Sequence, residues 1–401
     1  QEPIQSDNIR VDAGVYEGCE ITVFYDPMIS KLISYGKDRL SAIEGMLSAL
    51  DYYQVQGISH NLTFLSSILG NSRFIRGDLN TSFIEEEYPE KVALRDERVL
   101  RFFGFIKKDD DLRKIRERVL NENVAGFYDE RPGVKKLFAI SSTEKLNFLN
   151  QIIMSHELRH AAQDQYVGIR GKLGDWSDYD DRSIAALSLF EGDALIVMKN
   201  YVQDIASQVP ELGLFSEALT NSTDLANQHA GPALSAAPAV VQEQLVAPYL
   251  HGQKFAASIY KKGGFALLNK SLLQPPRSTE QVLHPNKYLT NPTDEPIFVE
   301  LPTTRGRDLD SEGRLGELLI RTLLAPAVGT SKAITAAEGW GGDAYAVIYE
   351  GTDYTLIWKS LWDSPEDMKE FESTVRSYAA IRFESNYTIT ANGVEVVLTR
   401  T

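Results

Sequence analysis

The chain has 401 residues, 43% of them hydrophobic and 24% charged, the balance of an ordinary globular protein with room for more than one domain. Its 56 acidic against 41 basic side chains leave a net charge of −15, which argues against the basic surface that nucleic acids and anionic membranes require. No apolar run reaches the roughly 18 residues of a membrane span; a single cysteine, Cys19, excludes an internal disulfide framework, and the opening QEPIQSDN does not read as a signal peptide.

From Gln1 to Glu90 strand and helix patterns alternate. Lys31 to Tyr35 is strand-like, Asp38 to Tyr53 carries Leu40, Ile43, Leu47 and Leu50 on one helical face, and Gly57 breaks the run. A small α+β unit is expected. The stretches NIRVDAGVYEGCEITVFYDPMISKLISYGKDRLSAI, ALDYYQVQGISHNLTFLSSIL and FIRGDLNTSFIEEEYPE are closely similar to the C-terminal part of biotin carboxylase domains, as in the biotin-containing subunit of acyl-CoA carboxylases. That resemblance implies that Arg10 stands where those enzymes keep an arginine that helps stabilise the biotin enolate. The sequence holds no ATP-grasp region, Gly-rich phosphate loop or Lys-Met biotin attachment site. An arginine alone cannot position ATP against bicarbonate, so the segment is expected to be non-catalytic.

Further along, Lys107-Lys108-Asp109-Asp110-Asp111 reads as a solvated helix start. Ser141 to Tyr166 contains neither Gly nor Pro, and Leu149, Ile152 and Ile153 recur at helical spacing into His156 and His160. The pentapeptide His156-Glu157-Leu158-Arg159-His160 matches H-E-x-x-H. On a helix its two histidines lie one turn apart on one face, so both imidazoles reach a single metal about 2.0–2.1 Å from each nitrogen. Glu157 then projects beside the metal, where a general base takes a proton from bound water.

Such a site needs a third protein ligand and keeps its fourth position for water. The segment SIAALSLFEGDALIVM reads as a second helix, and a carboxylate among Leu189, Phe190, Ala194 and Leu195 must face water or be paired. Glu191 is preferred over Asp193 as the ligand; an exposed acidic edge is the alternative. The Gly- and Asp-rich stretch from Gly168 to Asp181 leaves room for the return of that helix. Two loops are marked by composition, LTNSTDLANQHAGPALSAAPA and the Pro-rich LLQPPRSTEQVLHPNKYLTNPTDEP. The runs AYAVIYE, YTLIWKS and YTITANGVEVVLT, with Asn392-Gly393 as a hairpin turn, predict an antiparallel sheet.

From about Lys91 to Thr401 the chain resembles a family of bacterial and archaeal zinc metallopeptidases of the H-E-x-x-H class. The resemblance is carried by GFYDERPGVKKLFAI, HELRHAAQDQY, FEGDA, PYLHGQKFAASIYKKGGFALLNK, PPRSTEQVLHPNKYL, GWGGDAYAVIYE and LIWKSLWDS. It implies a zincin-like fold with Glu191 as the third ligand. Many zincins of that type place an Asp four residues after this Glu; here that residue is Leu195, which leaves Asp193 as the candidate for orienting the ligands. For a donor to the developing oxyanion the resembling blocks offer Tyr260, Arg277 and His284, with His251 behind them, and His284 is favoured because it lies in the run PPRSTEQVLHP.

The expectation is therefore an α+β chain in two parts, residues 1–90 and 91–401. The second is expected to bind Zn2+ through His156, His160 and Glu191 and to hydrolyse a peptide or protein substrate, with Glu157 as general base. Two other readings stand beside it. One is a non-catalytic, zinc-stabilised binding protein, in which a fourth protein ligand such as Asp193 or His251 closes the site. The other, a remnant or subunit of a biotin-dependent carboxylase, rests on the first ninety residues.

Overall fold

The computed structural model describes residues 2, 3, 5–13, 30–53, 55, 62–79, 89–123, 126–129, 135–139, 148–173, 179–208, 231–301, 308–350, 353–383 and 386–401. Its contacts divide the α+β chain into two compact units, Gln1–Glu90 and Lys91–Thr401.

In the first unit β1 (Ile9–Ala13) pairs antiparallel with β2 (Ser30–Ser34). Helix α1 (Arg39–Tyr52) starts at Asp38, whose carboxylate accepts from the Ser41 amide at 2.8 Å while the Ser41 hydroxyl accepts from the Asp38 amide. That reciprocal pair satisfies two donors the helix cannot bond internally. On its apolar face Ile43 and Leu50 are buried, whereas Leu40 is 52% exposed. Helices α2 (Leu62–Leu69) and α3 (Ser72–Arg76) follow, and Arg39 donates to the Phe74 carbonyl at 2.9 Å, tying α1 to α3. Arg10 is exposed and paired with Asp12 at 3.2 Å. Cys19 and Gly57 lie outside the described residues.

Helix α4 (Pro89–Phe103), all but its first two residues, and α5 (Leu112–Asn123) open the second unit. The charge run between them does start a helix: Asp110 accepts from the Lys107 amide and Asp111 from the Lys114 amide, the latter at the N-terminus of α5. A hairpin of β3 (Gly126–Asp129) and β4 (Lys136–Ala139) precedes α6 (Phe148–Val167), which carries the H-E-x-x-H pentapeptide. The expected start of that helix, residues 141–147, lies outside the described residues. After α7 (Ile169–Leu173) come α8 (Asp181–Gln208), α9 (Pro232–Ala236) and α10 (Ala239–Leu273), the last broken at Gly263 and Gly264. The remainder of the first composition-marked loop is likewise undescribed.

Helices α6 and α8 run antiparallel, since Gln163 bonds the Phe190 carbonyl while Ile152 packs with Leu195, Met198 and Val202. α8 crosses α10 at a pair of glycines. A Cβ on Gly192 would stand 2.1 Å from the Gly252 carbonyl oxygen, and one on Gly252 would stand 2.2 Å from the Ser188 oxygen, so no side chain fits at either place.

The Pro-rich excursion is not a plain loop. Ser278 caps α11 (Thr279–Leu283), and Pro285 opens α12 (Pro285–Leu289), where its missing N–H costs nothing. Then come β5 (Asp308–Gly313), α13 (Gly316–Val328), α14 (Thr330–Ala337), β6 (Trp340–Glu350), β7 (Asp353–Trp362), α15 (Pro365–Arg382), β8 (Tyr387–Asn392) and β9 (Glu395–Arg400). The strands form one antiparallel sheet in the order β5-β6-β7-β9-β8, with Asn392 opposite Glu395 and Gly393 at φ 64° in the turn. Along β7, Leu356, Trp358, Ser360 and Trp362 are buried, the alternation that one core-facing side of a strand requires. Trp358 meets Phe103 and Phe371 edge-on, and Trp362 stacks on Phe371 at 4.3 Å. No described helix is long and apolar enough to cross a membrane.

The junction between sheet and helices is made by one carboxylate. Asp343 on β6, 3% exposed, accepts from the Leu315 and Gly316 amides at the start of α13 and from the indoles of Trp340 and Trp358, all at 2.9–3.0 Å. Burial pushes its carboxyl pKa up, opposed by those donors. Truncating it leaves four buried donors without an acceptor, each carrying a penalty of roughly 1–3 kcal/mol. Asp343→Ala is expected to lower unfolding free energy by at least about 4 kcal/mol in urea titration, while an exposed truncation on the same sheet, Thr388→Ala, should change it by less than about 0.5 kcal/mol.

Candidate metal centre

Two helices bring the three expected ligands together. His156 and His160 stand one turn apart on α6, and Glu191 faces them from α8. The two Nε2 atoms are 3.0 Å apart, and Glu191 Oε2 lies 3.1 Å from His156 Nε2 and 3.4 Å from His160 Nε2. Three donors of a tetrahedral ion at about 2.0–2.1 Å are about 3.3 Å from one another, so these atoms already have the spacing of one face of a zinc tetrahedron. Among the described residues they form the one group of three or more His, Cys, Asp or Glu side chains close enough to hold a metal.

The electrostatics fit a cation as well. Burial alone would push the Glu191 carboxyl up, yet the imidazoles outweigh it and hold the group far below the usual carboxylate range. Burial would lower His160, but the charge and hydrogen bond of Glu191 push it up to about 9. The cluster thus draws positive charge into a buried place, and a metal ion meets that demand with the same three atoms.

The surroundings fix how His160 presents itself. Gln163, buried one turn further along α6, donates its amide hydrogens to the Phe190 carbonyl at 2.9 Å and to Asp193 at 2.7 Å. Its oxygen is left to accept from His160 Nδ1 at 2.8 Å, which leaves the Nε2 lone pair for a metal. Asp193 is fully buried and gripped at both oxygens by Arg159, at 2.7 and 3.0 Å, and Arg159 in turn donates to Asn269. Asp193 therefore acts on His160 through Gln163 and is not itself among the ligand atoms. Leu195 packs against Ile152, Met198 and Val202 in the seam between α6 and α8.

Glu157 stands beside the cluster, half-buried, and burial pushes its carboxyl up. Its Oε2 accepts the Tyr128 amide of β3 at 2.9 Å. The Tyr128 hydroxyl donates to Asp164 at 3.0 Å, and Lys135 pairs with the same carboxylate at 2.9 Å, so the hairpin is pinned to α6 at two points. Tyr249 of α10 was not foreseen. Its ring lies 6.2 Å from that of His156 at 23° and the residue is 38% exposed; the Glu191 charge pushes the phenol well above its ordinary pKa. Residue 249 stands one turn ahead of Gly252, which is the hint the sequence offered once the crossing is known.

The proposed oxyanion donors each have a partner outside this cluster. His284, at the junction of α11 and α12, bonds Glu317 at 3.0 Å, and Arg321 pairs with the same carboxylate. The run around His284 is a tether between helices. Thr279 donates from both its amide and hydroxyl to Asp181 at the start of α8 and accepts from the Leu318 amide of α13. Glu191 lies ten residues, about 15 Å, further along α8 than Asp181. Arg277 is exposed and 3.7 Å from Glu295, Tyr260 packs on Phe265 and meets Asn200 at 3.5 Å, and His251 lies 3.7 Å from Glu243.

Comparison with known proteins divides the chain in a similar way. Residues 1–86 match the biotin carboxylase C-terminal domain, and residues 304–400 match a domain of unknown function, DUF8575. Neither match reaches the cluster. The propionyl-CoA carboxylase alpha chain of Sus scrofa is 48% identical over 90 residues, covering 22% of this chain and 12% of its own. The Ruegeria pomeroyi propionyl-CoA carboxylase alpha chain is 55% identical over 107 residues, 27% of this chain and 14% of its own. The alpha subunit of methylcrotonoyl-CoA carboxylase from Dictyostelium discoideum is 40% identical over 82 residues, 20% of this chain and 12% of its own. The chain thus spans about an eighth of the length of these relatives, and its first segment is related to biotin-dependent carboxylases. No solved structure matches.

The linkage through Gln163 is open to test. Gln163→Ala removes the acceptor that fixes the His160 tautomer, and zinc affinity measured by chelator competition is expected to fall about 10–100-fold.

Proposed function

We propose that residues 91–401 carry a zinc-dependent peptidase of the zincin type. The observation that supports this reading is the convergence of His156, His160 and Glu191 at tetrahedral spacing, with Glu157 beside them on the same helix and outside the ligand set. Zinc, when bound, supplies a water acidified to a pKa of about 7 and a Lewis acid for the scissile carbonyl. His156, His160 and Glu191 hold the ion, and Gln163 keeps His160 in the tautomer that can do so. Glu157 is the proton acceptor: its half-burial favours uptake of a proton, and the Tyr128 amide holds one of its oxygens in place. The choice of a peptide substrate rests on the resemblance carried by HELRHAAQDQY, FEGDA and the flanking blocks.

The closed structural site is less well supported. Its two candidate fourth ligands are engaged elsewhere, Asp193 with Arg159 and Gln163 and His251 near Glu243. The carboxylase reading has the better support from known proteins, through residues 1–86; it concerns the first unit, and the geometry of the cluster bears on the second. Both can hold in one chain.

Three measurements decide. Glu157→Gln should retain stoichiometric zinc and lose peptide hydrolysis by at least about 100-fold, since the ligands survive and the base does not; equal cleavage of a peptide library by both proteins would overturn the peptidase. A chain lacking residues 1–90 is expected to bind zinc as the full chain does, because every proposed ligand lies after that segment. Finally, no ATP-dependent fixation of bicarbonate is expected from the chain alone.

A further inference from the structure

The second unit holds a cavity that the metal centre does not use. It lies between the α4–α5 connection, the α9–α10 junction and the C-terminal ends of α15 and β9, has a volume of about 1040 Å³, and shares no lining residue with the metal cluster. Seven lysines and arginines line it against three aspartates, in a chain whose net charge is −15. Cations gathered in one concave place of an acidic protein focus anions there. The three carboxylates do not neutralise them. Asp110 is taken up by the Lys107 amide at 2.7 Å, and Asp111 caps α5 at the Lys114 amide and pairs with the Lys114 ammonium, each at 3.0 Å. Arg101 is held by Glu97 and by the Asp110 carbonyl, both at 2.7 Å, and Arg400 donates to the Arg101 carbonyl at 3.2 Å. Among the described residues, the side-chain cations of Lys107, Lys108, Arg118 and Arg382 are left without an acceptor, with Asp109 to oppose them.

We infer that this cavity binds a small polyanion, a molecule carrying at least two phosphate or carboxylate groups. Its volume is that of a small-molecule site. The wall that carries the cations is fixed in advance: the Tyr378 hydroxyl of α15 donates to the Phe103 carbonyl at 2.6 Å, tying the helix that ends at Arg382 to the connection that bears Lys107 and Lys108. Donors held in place this way lose little freedom when an anion arrives. A peptide added as a strand would need a free sheet edge, and Arg400 stands on β9, which is paired on one side with β7 and on the other with β8. Nucleic acid would need a basic surface of greater extent than one cavity in an acidic chain. The inference depends neither on the metal centre nor on peptidase activity.

The test is isothermal titration calorimetry of the full chain at low ionic strength, with inorganic pyrophosphate and citrate as probes. Saturable binding of at least one is expected, weakening as salt is added; pyrophosphate alone would assign phosphate chemistry, and citrate alone carboxylate chemistry. The double variant Arg118→Ala with Arg382→Ala and, separately, Lys107→Ala with Lys108→Ala should each lower the affinity at least about tenfold, since each removes two charged donors. Their thermal midpoints should stay unchanged, because these side chains hold nothing else in the fold. Lys332→Ala, an exposed lysine outside the cavity, should bind the probe as the wild type does. So should His156→Ala, which separates an anion in this cavity from one held at a metal. Absence of saturable binding of both probes, undiminished binding in either double variant, an equal loss in Lys332→Ala, or a loss in His156→Ala would each overturn the inference.

Discussion

A negative charge buried between helices organises the second unit. Glu191 lies where α6, α8 and α10 meet, and a carboxylate withdrawn from water is tolerable there only if positive charge and hydrogen-bond donors come to it. Two imidazoles arrive from α6, and the ring of Tyr249 on α10 lies beside that of His156. His160 is then held from further out: by Gln163, Gln163 by Asp193, Asp193 by Arg159, Arg159 by Asn269. After its first link, within α6, this chain crosses between helices at each of the next three, so the polar network also ties α6 to α8 and α10. The apolar seam of Ile152, Leu195, Met198 and Val202 supplies burial beside it, and the network supplies register.

How much of this was legible depended on whether the relevant atoms are neighbours in sequence. The pair His156 and His160 was readable because a helix puts residues four apart on one face, and Glu191 because a carboxylate in an apolar run demands an explanation. The β7–β9 region was readable from alternation and from Asn392-Gly393, although β6 begins earlier than its apolar run, at Trp340, where two glycines hide the pattern. Tyr249 and Tyr128 were not legible. Each comes to the site through a contact distant in sequence, Tyr249 by a crossing that two glycines permit and Tyr128 by a backbone amide, which no side-chain identity announces. His284 is a different case. A distinctive run drew attention as chemistry, and its residues turn out to fasten helix starts, with Thr279 on Asp181 and His284 on Glu317.

The first unit follows a different logic. The strand at Lys31 to Tyr35 and the helix from Asp38 to Tyr53 are expected from pattern and are found, β2 displaced by one residue, while β1 and the Asp38 cap are added by the structure. Arg10, which the carboxylase resemblance singles out, faces water and pairs with Asp12. An exposed arginine with a surface partner contributes little to stability. Its presence is understandable as inheritance from a carboxylase-related segment, without any assigned work in this chain.

The gathering of two indoles on Asp343 has an optical consequence. Three of the four tryptophans, Trp340, Trp358 and Trp362, belong to the sheet, and two of them share one carboxylate with the start of α13. Intrinsic fluorescence in this protein is thus weighted toward the sheet, whereas the proposed metal ligands sit on α6 and α8, whose described residues contain no tryptophan. Loosening of the metal-bearing helices and loss of the sheet would then appear in different spectroscopic windows. A protein that looked intact by its emission maximum could already have let its ligand helices part.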